Sequence, residues 1–375
     1  MRTQKTSQVI LLMVSVLAVV SVWVEKAGAD FIFGTPVNLG PTVNSSSDDL
    51  GTEISADGLE LYFSSNRPGG FGDWDLYVAL RATTQDDWGT PMNLGSPPNS
   101  QYGDWEPSIS TDGLTLYFSD VYPAYGSWRP DGLGHGDIWI STRPTTDDPW
   151  GAPENLGPVI NSLQAYWPDI SADGLSLYMI SHSGHRGGSG LCDIFVARRQ
   201  TTYESFGEPL NLGPNVNSPA GELSPAISAD ELALFFYRGV TGTGDMWMAT
   251  RRNISDPFGP AIKLSVPVNS SYIDASPHLT VDGSTLYFCS NRPGGYGGYD
   301  LWKASIDPII DLNGDGIVDS IDMCIVVDNW GTDNKLCDVG PMPWGDGIVD
   351  DEDLIVLAEH LFEEFPPADP NVETP

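Results

Sequence analysis

The chain has 375 residues, of which 51 are Asp or Glu and 17 are Lys or Arg, a formal net charge of −34. That excess excludes nucleic acid and anionic membrane surfaces as partners, because phosphate binding needs clustered Lys and Arg. Hydrophobic residues make up 40% and aromatic residues 10% of the chain, enough to fill a core and to exclude disorder for its body.

Residues 1–29 read as an export signal: Arg2 and Lys5, an apolar run from Val9 to Val24, then Ala27-Gly28-Ala29 ahead of Asp30. No second apolar run follows, so the mature chain is expected to be soluble and secreted, extracellular or at the cell surface, without a membrane span.

From Ile54 to Tyr77 the chain reads ISADGLELYFSSNRPGGFGDWDLY, and versions of this phrase return at Ile109–Ile140, Ile170–Val196, Ile227–Met248 and Leu279–Trp302. A second phrase, ending in Asn-Ser, links the copies at Trp88–Ser100, Trp150–Ser162, Phe206–Ser218 and Phe258–Ser270. A period of roughly 50 to 60 residues is in the range of repeat architectures. Each copy offers four short strands, in the first copy Glu53–Ser55, Leu59–Ser64, Asp75–Arg81 and Gly89–Leu94, with Asp57-Gly58 as a tight turn. Five such copies without a helical period predict an all-β fold, a five-bladed β-propeller over residues 30–306. The fifth copy stops after its third strand, whereas FIFGTPVNLG (Phe31–Gly40) matches WGTPMNLG (Trp88–Gly95). The N-terminal segment is therefore expected to supply the last blade's fourth strand and to cover two sheet edges.

The marks S-x-D-G-x-x-L-Y-F-S-S-N-R-x-G-G and a following D-L-Y resemble the TolB-type, WD40-like propeller repeats over residues 31–305. The resemblance implies the fold and leaves function open, since propellers host scaffolds, lectins and hydrolases alike. Asp57, Asp112, Asp173, Asp230 and Asp282 recur at the turn, and Asp75, Asp137, Asp193, Asp245 and Asp300 before the third strand, so both sets are read as structural. Asp49, Asp104, Glu222 and Asp274, with Ala165 in the third copy, precede the first strands. They are read as capping loops or pairing with Arg67, Arg129, Arg186, Arg238 and Arg292 of the neighbouring loops, with a ring of acids holding a cation or polyol as the alternative.

Departures from the repeat mark candidate binding residues: Trp128, Arg129 and His135 in the second copy, and Tyr166, Trp167, His185 and Arg186 in the third. Aromatic faces beside polar groups suit sugar rings, or pack a long loop on itself. Zinc at His182 and His185 is disfavoured for want of a third ligand. If the propeller is an enzyme, the expected reaction is hydrolysis of O-glycosyl bonds, with Glu53, Glu106 and Asp169 as catalytic carboxylates in or beside the first strands. That reading rests on analogy of blade number with furanosidase-type hydrolases, and a non-catalytic propeller is preferred.

Residues 307–364 change character. DLNGDGIVDSID, Asp311–Asp322, is a twelve-residue calcium loop with Asp311, Asn313, Asp315, Asp319 and Asp322 as oxygen ligands, the Ile317 carbonyl at position 7 and Gly316 at the bend. A helix follows from Ser320 to Trp330, with Ile321, Ile325, Val326 and Val327 expected to face a core. GDGIVDDEDLIVLAEHLF repeats the design with Leu354, Leu357, Ala358 and Leu361 inward; Asp346, Ile348, Asp350 and Asp353 are its metal candidates, and Asp338 reaches in across an insertion. The two loops resemble the type I dockerin, which implies calcium-dependent docking onto a cohesin-like protein, with recognition at Ser320-Ile321 and Asp351-Glu352, often in polysaccharide-degrading assemblies. A Cys324–Cys337 disulfide is expected here, whereas Cys192 and Cys289 are expected to be free thiols. Residues 365–375 are expected to be a disordered tail.

The combined expectation is a secreted propeller that recognises a polysaccharide or surface glycan and is held in an extracellular assembly by its C-terminal unit. A glycoside hydrolase and a TolB-like protein-binding propeller are the alternatives.

Overall fold

The computed structural model describes residues 31–120, 129–133, 136–161, 164–182, 191–240, 243–332, 334, 337–340, 345 and 348–363. The export signal, the tail, Trp128, His135, His185, Arg186 and Asp346 lie outside the described residues.

Five antiparallel sheets follow one another along the chain. The first holds β3 (Asp49–Ile54), β4 (Glu60–Ser65), β5 (Asp75–Leu80) and β6 (Met92–Asn93). The second holds β7 (Asp104–Ile109), β8 (Thr115–Asp120), β9 (Ile138–Thr142) and β10 (Glu154–Asn155), and a helical turn, α1 (Pro158–Asn161), leads out of it. The third holds β11 (Ala165–Ile170), β12 (Ser176–His182), β13 (Cys192–Arg198) and β14 (Leu210–Asn211). The fourth holds β15 (Gly221–Ile227), β16 (Ala233–Val240), β17 (Thr243–Thr250) and β18 (Ile262–Lys263).

The fifth sheet closes the ring. Its β19 (Asp274–Leu279), β20 (Thr285–Ser290) and β21 (Asp300–Pro308) are joined by β1 (Phe31–Phe33) and β2 (Val37–Asn38) from the chain start. Val37 faces Lys303 and Asn38 faces Trp302, as Met92 and Asn93 face Val78 and Tyr77 in the first blade. The expected fourth strand is therefore present, and β1 extends the seam by pairing Phe31 to Phe33 with Pro308 to Ile306.

The first strand of each blade neighbours the first strands on either side, with β19 against β3, so five inner strands form a closed ring. The cores lie between blades. Leu61 and Phe63 pack toward the fifth blade and Tyr62 toward the second, so both faces of β4 are buried, as sheets stacked radially require. The Asn of each linking Asn-Ser phrase is buried: Asn99 accepts from Leu76 N–H and donates to Leu76 C=O, and Asn44 does the same to Leu301, 257 residues away. Its amide stands in for a strand partner and ties each linker to the preceding blade.

The repeated aspartates hold turns, as read. Asp57 accepts from Ser55 Oγ and Leu59 N–H, and Asp300 from Tyr296 and Gly297 N–H. After Pro308 the chain forms α2 (Ser320–Asp328) and α3 (Asp351–Glu359) around a separate small core that includes Ile310, Val318, Val326, Val349 and Leu357. Three inward assignments are corrected here: Ile321 and Val327 are each 53% exposed while Val326 is buried, and Ala358 is exposed while Val356 is buried. The buried faces follow the i, i+4 pairs Asp322–Val326 and Asp353–Leu357. The expected disulfide is also corrected: all four cysteines are free, Cys324 on the exposed side of α2 and Cys337 buried in the core.

Candidate functional site

Each inner strand carries the same irregularity. Pairing with the second strand shifts register between Leu50 and Glu53, Trp105 and Ser108, Tyr166 and Asp169, Leu223 and Ala226, and Ala275 and His278. At each of these bulges one residue adopts positive φ: Gly51 (65°), Glu106 (47°), Trp167 (51°), Ser224 (46°) and Ser276 (48°). Left-handed backbone at four non-glycine residues is strained and marks candidate function. Bulges re-aim side chains, here into the middle of the ring, where Ser276 Oγ donates to Glu106 Oε1 at 2.9 Å and lies 3.3 Å from Ser224 Oγ. Gly51 stands between, and a Cβ there would lie 3.1 Å from the Glu106 carboxyl carbon. Glycine at this place both permits the left-handed turn and lets Glu106 lean across the first blade.

Two residues further along each strand comes a second set: Glu53, Ser108, Asp169, Ala226 and His278. These side chains bridge blades. Glu53 accepts from Ile109 N–H at 2.8 Å, Ser108 Oγ from Ile170 N–H at 3.1 Å, and Asp169 from Ile227 N–H at 2.7 Å. His278 Nδ1 lies 2.8 Å from Glu53 Oε2, and one ligand atom each of Glu53, Asp169 and His278 fall within 4.8 Å of one another. The sequence reading named Glu53, Glu106 and Asp169, and the ring brings all three together. It missed His278, Ser224 and Ser276. The signal was in the phrase x-P-x-I, with Leu279 for Ile in the fifth copy, where the residues flanking Pro107, Pro168, Pro225 and Pro277 vary while the surroundings repeat.

Burial pushes the Glu106 carboxyl up to about 7, against the Ser276 hydrogen bond and helped by the Glu53 charge. Burial and the Glu53 charge likewise raise Asp169. Burial alone would lower His278, but the Glu53 charge and hydrogen bond raise it. A glutamate in the unfolded chain titrates near pH 4.3, so between about pH 4 and 7 the folded chain holds the extra proton and stability falls as pH rises. Glu106→Gln removes this dependence. Urea unfolding should find the variant equal to the parent near pH 4 and more stable above pH 7, by at most about 3 kcal/mol; equal gains at both pH values would show that Glu106 does not keep its proton.

The remaining candidates are placed differently. Arg129 is an ion-pair partner of Asp104 at 2.6 Å and stacks on Phe118 and Trp139. Tyr166 is only 1% exposed and belongs to the core between the third and fourth blades, and Trp167, at the bulge, packs against the same core while only partly buried. Asp49, Glu222 and Asp274 are fully buried against Arg67, Arg238 and Arg292, so the pairing reading holds for these acids and no open acidic ring is formed.

In the C-terminal unit the first acidic loop is shaped by its own backbone. Asp311 accepts from Gly314, Asp315 and Gly316 N–H, Asp315 from Ile317 N–H, and Asp322 from Leu312, Asn313 and Asp319 N–H. Asp353 repeats the role of Asp322, accepting from Val339, Gly340 and Asp350 N–H. This correspondence aligns Asp338 with Asp311, with four extra residues in the second loop. Asp319 and Asp350 form capping boxes at α2 and α3.

No family model matches the chain, and no curated protein matches it in sequence. Among solved structures it is similar to the catalytic domain of a GH62 alpha-L-arabinofuranosidase from Coprinopsis cinerea, at 12% identity and a TM-score of 0.49, over 74% of this chain and 98% of that one. An alpha-L-arabinofuranosidase from Lactobacillus brevis is similar at 15% identity and a TM-score of 0.48, over 72% and 92%. TolB from Acinetobacter baumannii is similar at 16% identity and a TM-score of 0.43; the match covers 70% of this chain and 55% of TolB. Propellers that act as hydrolases and propellers of the TolB kind thus both stand among the structural neighbours. Identities this low carry no activity across.

Proposed function

We propose that this chain is an exported propeller that recognises a polysaccharide or surface glycan at its central ring and is held in an extracellular assembly by a calcium-dependent, dockerin-like unit. The observation that carries the reading is the loop Asp311–Asp322. Its donors are all hard oxygens, its backbone is already folded around Asp311 and Asp322, and among the described residues no Lys or Arg pairs with its acids. Such a donor set fits calcium. In the second loop Asp338, Ile348, Asp350 and Asp353 would serve, with Asp346.

Beside these loops, Ile317, Ile321, Val327, Trp330, Ile348 and Ile355 are exposed. Six exposed large apolar side chains in so short a unit support a docking face for a cohesin-like partner, and Ile321 lies at the position the dockerin resemblance assigns to recognition. For the propeller, Trp167 holds in the third blade the strand position that Glu106, Ser224 and Ser276 hold in theirs, and an aromatic residue in a ring of hydrogen-bonding groups is the combination a sugar ring needs.

A glycoside hydrolase is the second reading, favoured by Glu106, whose proton is held up to about pH 7 as a general acid requires. Calcium titration of the chelator-treated chain, with Asp315→Ala alongside, tests the docking unit: the variant should bind calcium about tenfold or more weakly, and a parent that binds none would end the dockerin reading. Incubation with a panel of polysaccharides, following bound protein and released reducing ends together, tests the propeller. Binding without release supports recognition; release lost in Glu106→Gln promotes the hydrolase; neither leaves a protein-binding propeller.

A further inference from the structure

Glu53, Asp169 and His278 come from the first, third and fifth blades, at one equivalent position where the repeat has otherwise placed Ser108 and Ala226. One carboxylate oxygen each of Glu53 and Asp169 and one ring nitrogen of His278 lie within 4.8 Å of one another. Both acids are 4% exposed, and the His278 side chain 13%. Asp169 commits one oxygen to Ile227 N–H, and its other oxygen takes no hydrogen bond from a described residue. Among the described residues His278 is the one ion-pair partner of Glu53, and no Lys or Arg pairs with either acid. Two carboxyl groups in a place this dry either keep a proton or need compensating positive charge; a single imidazolium balances one of them, and a divalent ion would balance both.

We propose that Glu53, Asp169 and His278 form a binding site for one divalent first-row transition cation, of the Zn²⁺ or Mn²⁺ class. An imidazole in the donor set distinguishes such ions from calcium and magnesium, which take oxygen alone. Metal bonds to nitrogen and oxygen of about 2.0–2.2 Å put neighbouring donors about 2.8–3.6 Å apart, from right-angled to tetrahedral geometry; His278 Nδ1 and Glu53 Oε2, at 2.8 Å, stand at the short end of that range, and binding would draw Asp169 in. Three protein donors leave further positions to water from the ring centre. The ion takes the place of the proton shared by His278 and Glu53, and it ties three inner strands that no direct sheet pairing connects.

The test uses the full mature chain without an affinity tag, held in excess calcium so that the acidic C-terminal loops are saturated, and Co²⁺ as the probe. One equivalent of Co²⁺ should bind with visible d–d absorption and raise the thermal midpoint, since a ligand that binds the folded state alone stabilises it. Asp169→Asn keeps an acceptor for Ile227 N–H and His278→Gln keeps a polar side chain; each should weaken Co²⁺ by about 100-fold or more, with calcium binding unchanged. His360→Gln, in the C-terminal unit, should behave as the parent. Absence of the absorption in the parent, its persistence in both ring variants, or its loss in His360→Gln would each overturn the assignment.

Discussion

A chain shortened to begin at Leu39 is expected to lose its cooperative unfolding transition, or to unfold at a far lower urea concentration than the parent. The shortening removes β1 and β2, and with them the Phe31 and Phe33 rings that pack edge to face at 5.4 Å in the core between the fourth and fifth blades. Truncating one buried phenylalanine costs about 3–5 kcal/mol, so losing two approaches the whole stability of a typical domain. It also strips β21 of the bond made by Gly34 N–H to Ser305 C=O and of its pairing with β1 and β2, leaving a long unpaired edge. A synthetic Phe31–Gly40 peptide added in trans should restore part of the loss. An unchanged urea midpoint for the shortened chain would mean that the seam does not hold the ring.

Asp274→Ala should be the most damaging single substitution, at about 3–5 kcal/mol. Asp274 is fully buried and receives Arg292 Nη2 at 2.6 Å, Ser290 Oγ at 2.6 Å, and Ser270 through both its N–H and its Oγ. Removing the carboxylate leaves a guanidinium 11% exposed, clamped over Phe288 and Trp302, with no counter-charge. The double variant Asp274→Ala, Arg292→Met should recover part of the loss, because breaking a buried pair costs more than replacing it. Chemical denaturation of the two single variants and the double one measures the coupling; additive losses would show that the pair does not act as a unit. The third blade carries Ala165 at the equivalent place and supplies a natural comparison.

Strand order, blade count and the seam were all legible, because alternation in Leu61 to Phe63, the Asp turns (Asp-Gly in four copies and Asp230-Glu231 in the other) and the match of Phe31–Gly40 to the linkers are local signals that recur along the chain. The inner ring was legible only in part. Glu53, Glu106 and Asp169 stood out as acids, but their facing depends on a bulge, and a bulge breaks the period-two rule by which facing is read from sequence. The same bulge lets Tyr166 and Trp167, adjacent in sequence, both meet one core, Tyr166 fully buried within it and Trp167 partly buried against it. Arg129 fits two readings in sequence, a binding group of a long loop and a partner of Asp104, and the ion pair decides for the second, as its counterpart Arg67 with Asp49 suggests by position. His278 escaped notice since a lone histidine in a strand carries no local mark. Its partners lie 225 and 109 residues away in sequence and meet only when the ring closes.

The seam also dictates an order of events. Synthesis delivers the N-terminus first, and domains fold as they emerge, yet β1 and β2 find their partners only in β21, some 270 residues later. Blades one to four can form hairpins from neighbouring residues, while the opening strand waits without a partner for the entire propeller to be made. Contacts of such long sequence separation slow folding, and a waiting strand that carries Phe31, Ile32 and Phe33 can pair with another copy's fifth blade instead. Domain-swapped dimers and aggregates should therefore be the characteristic failure of this chain at high concentration, with the closing step setting its refolding rate.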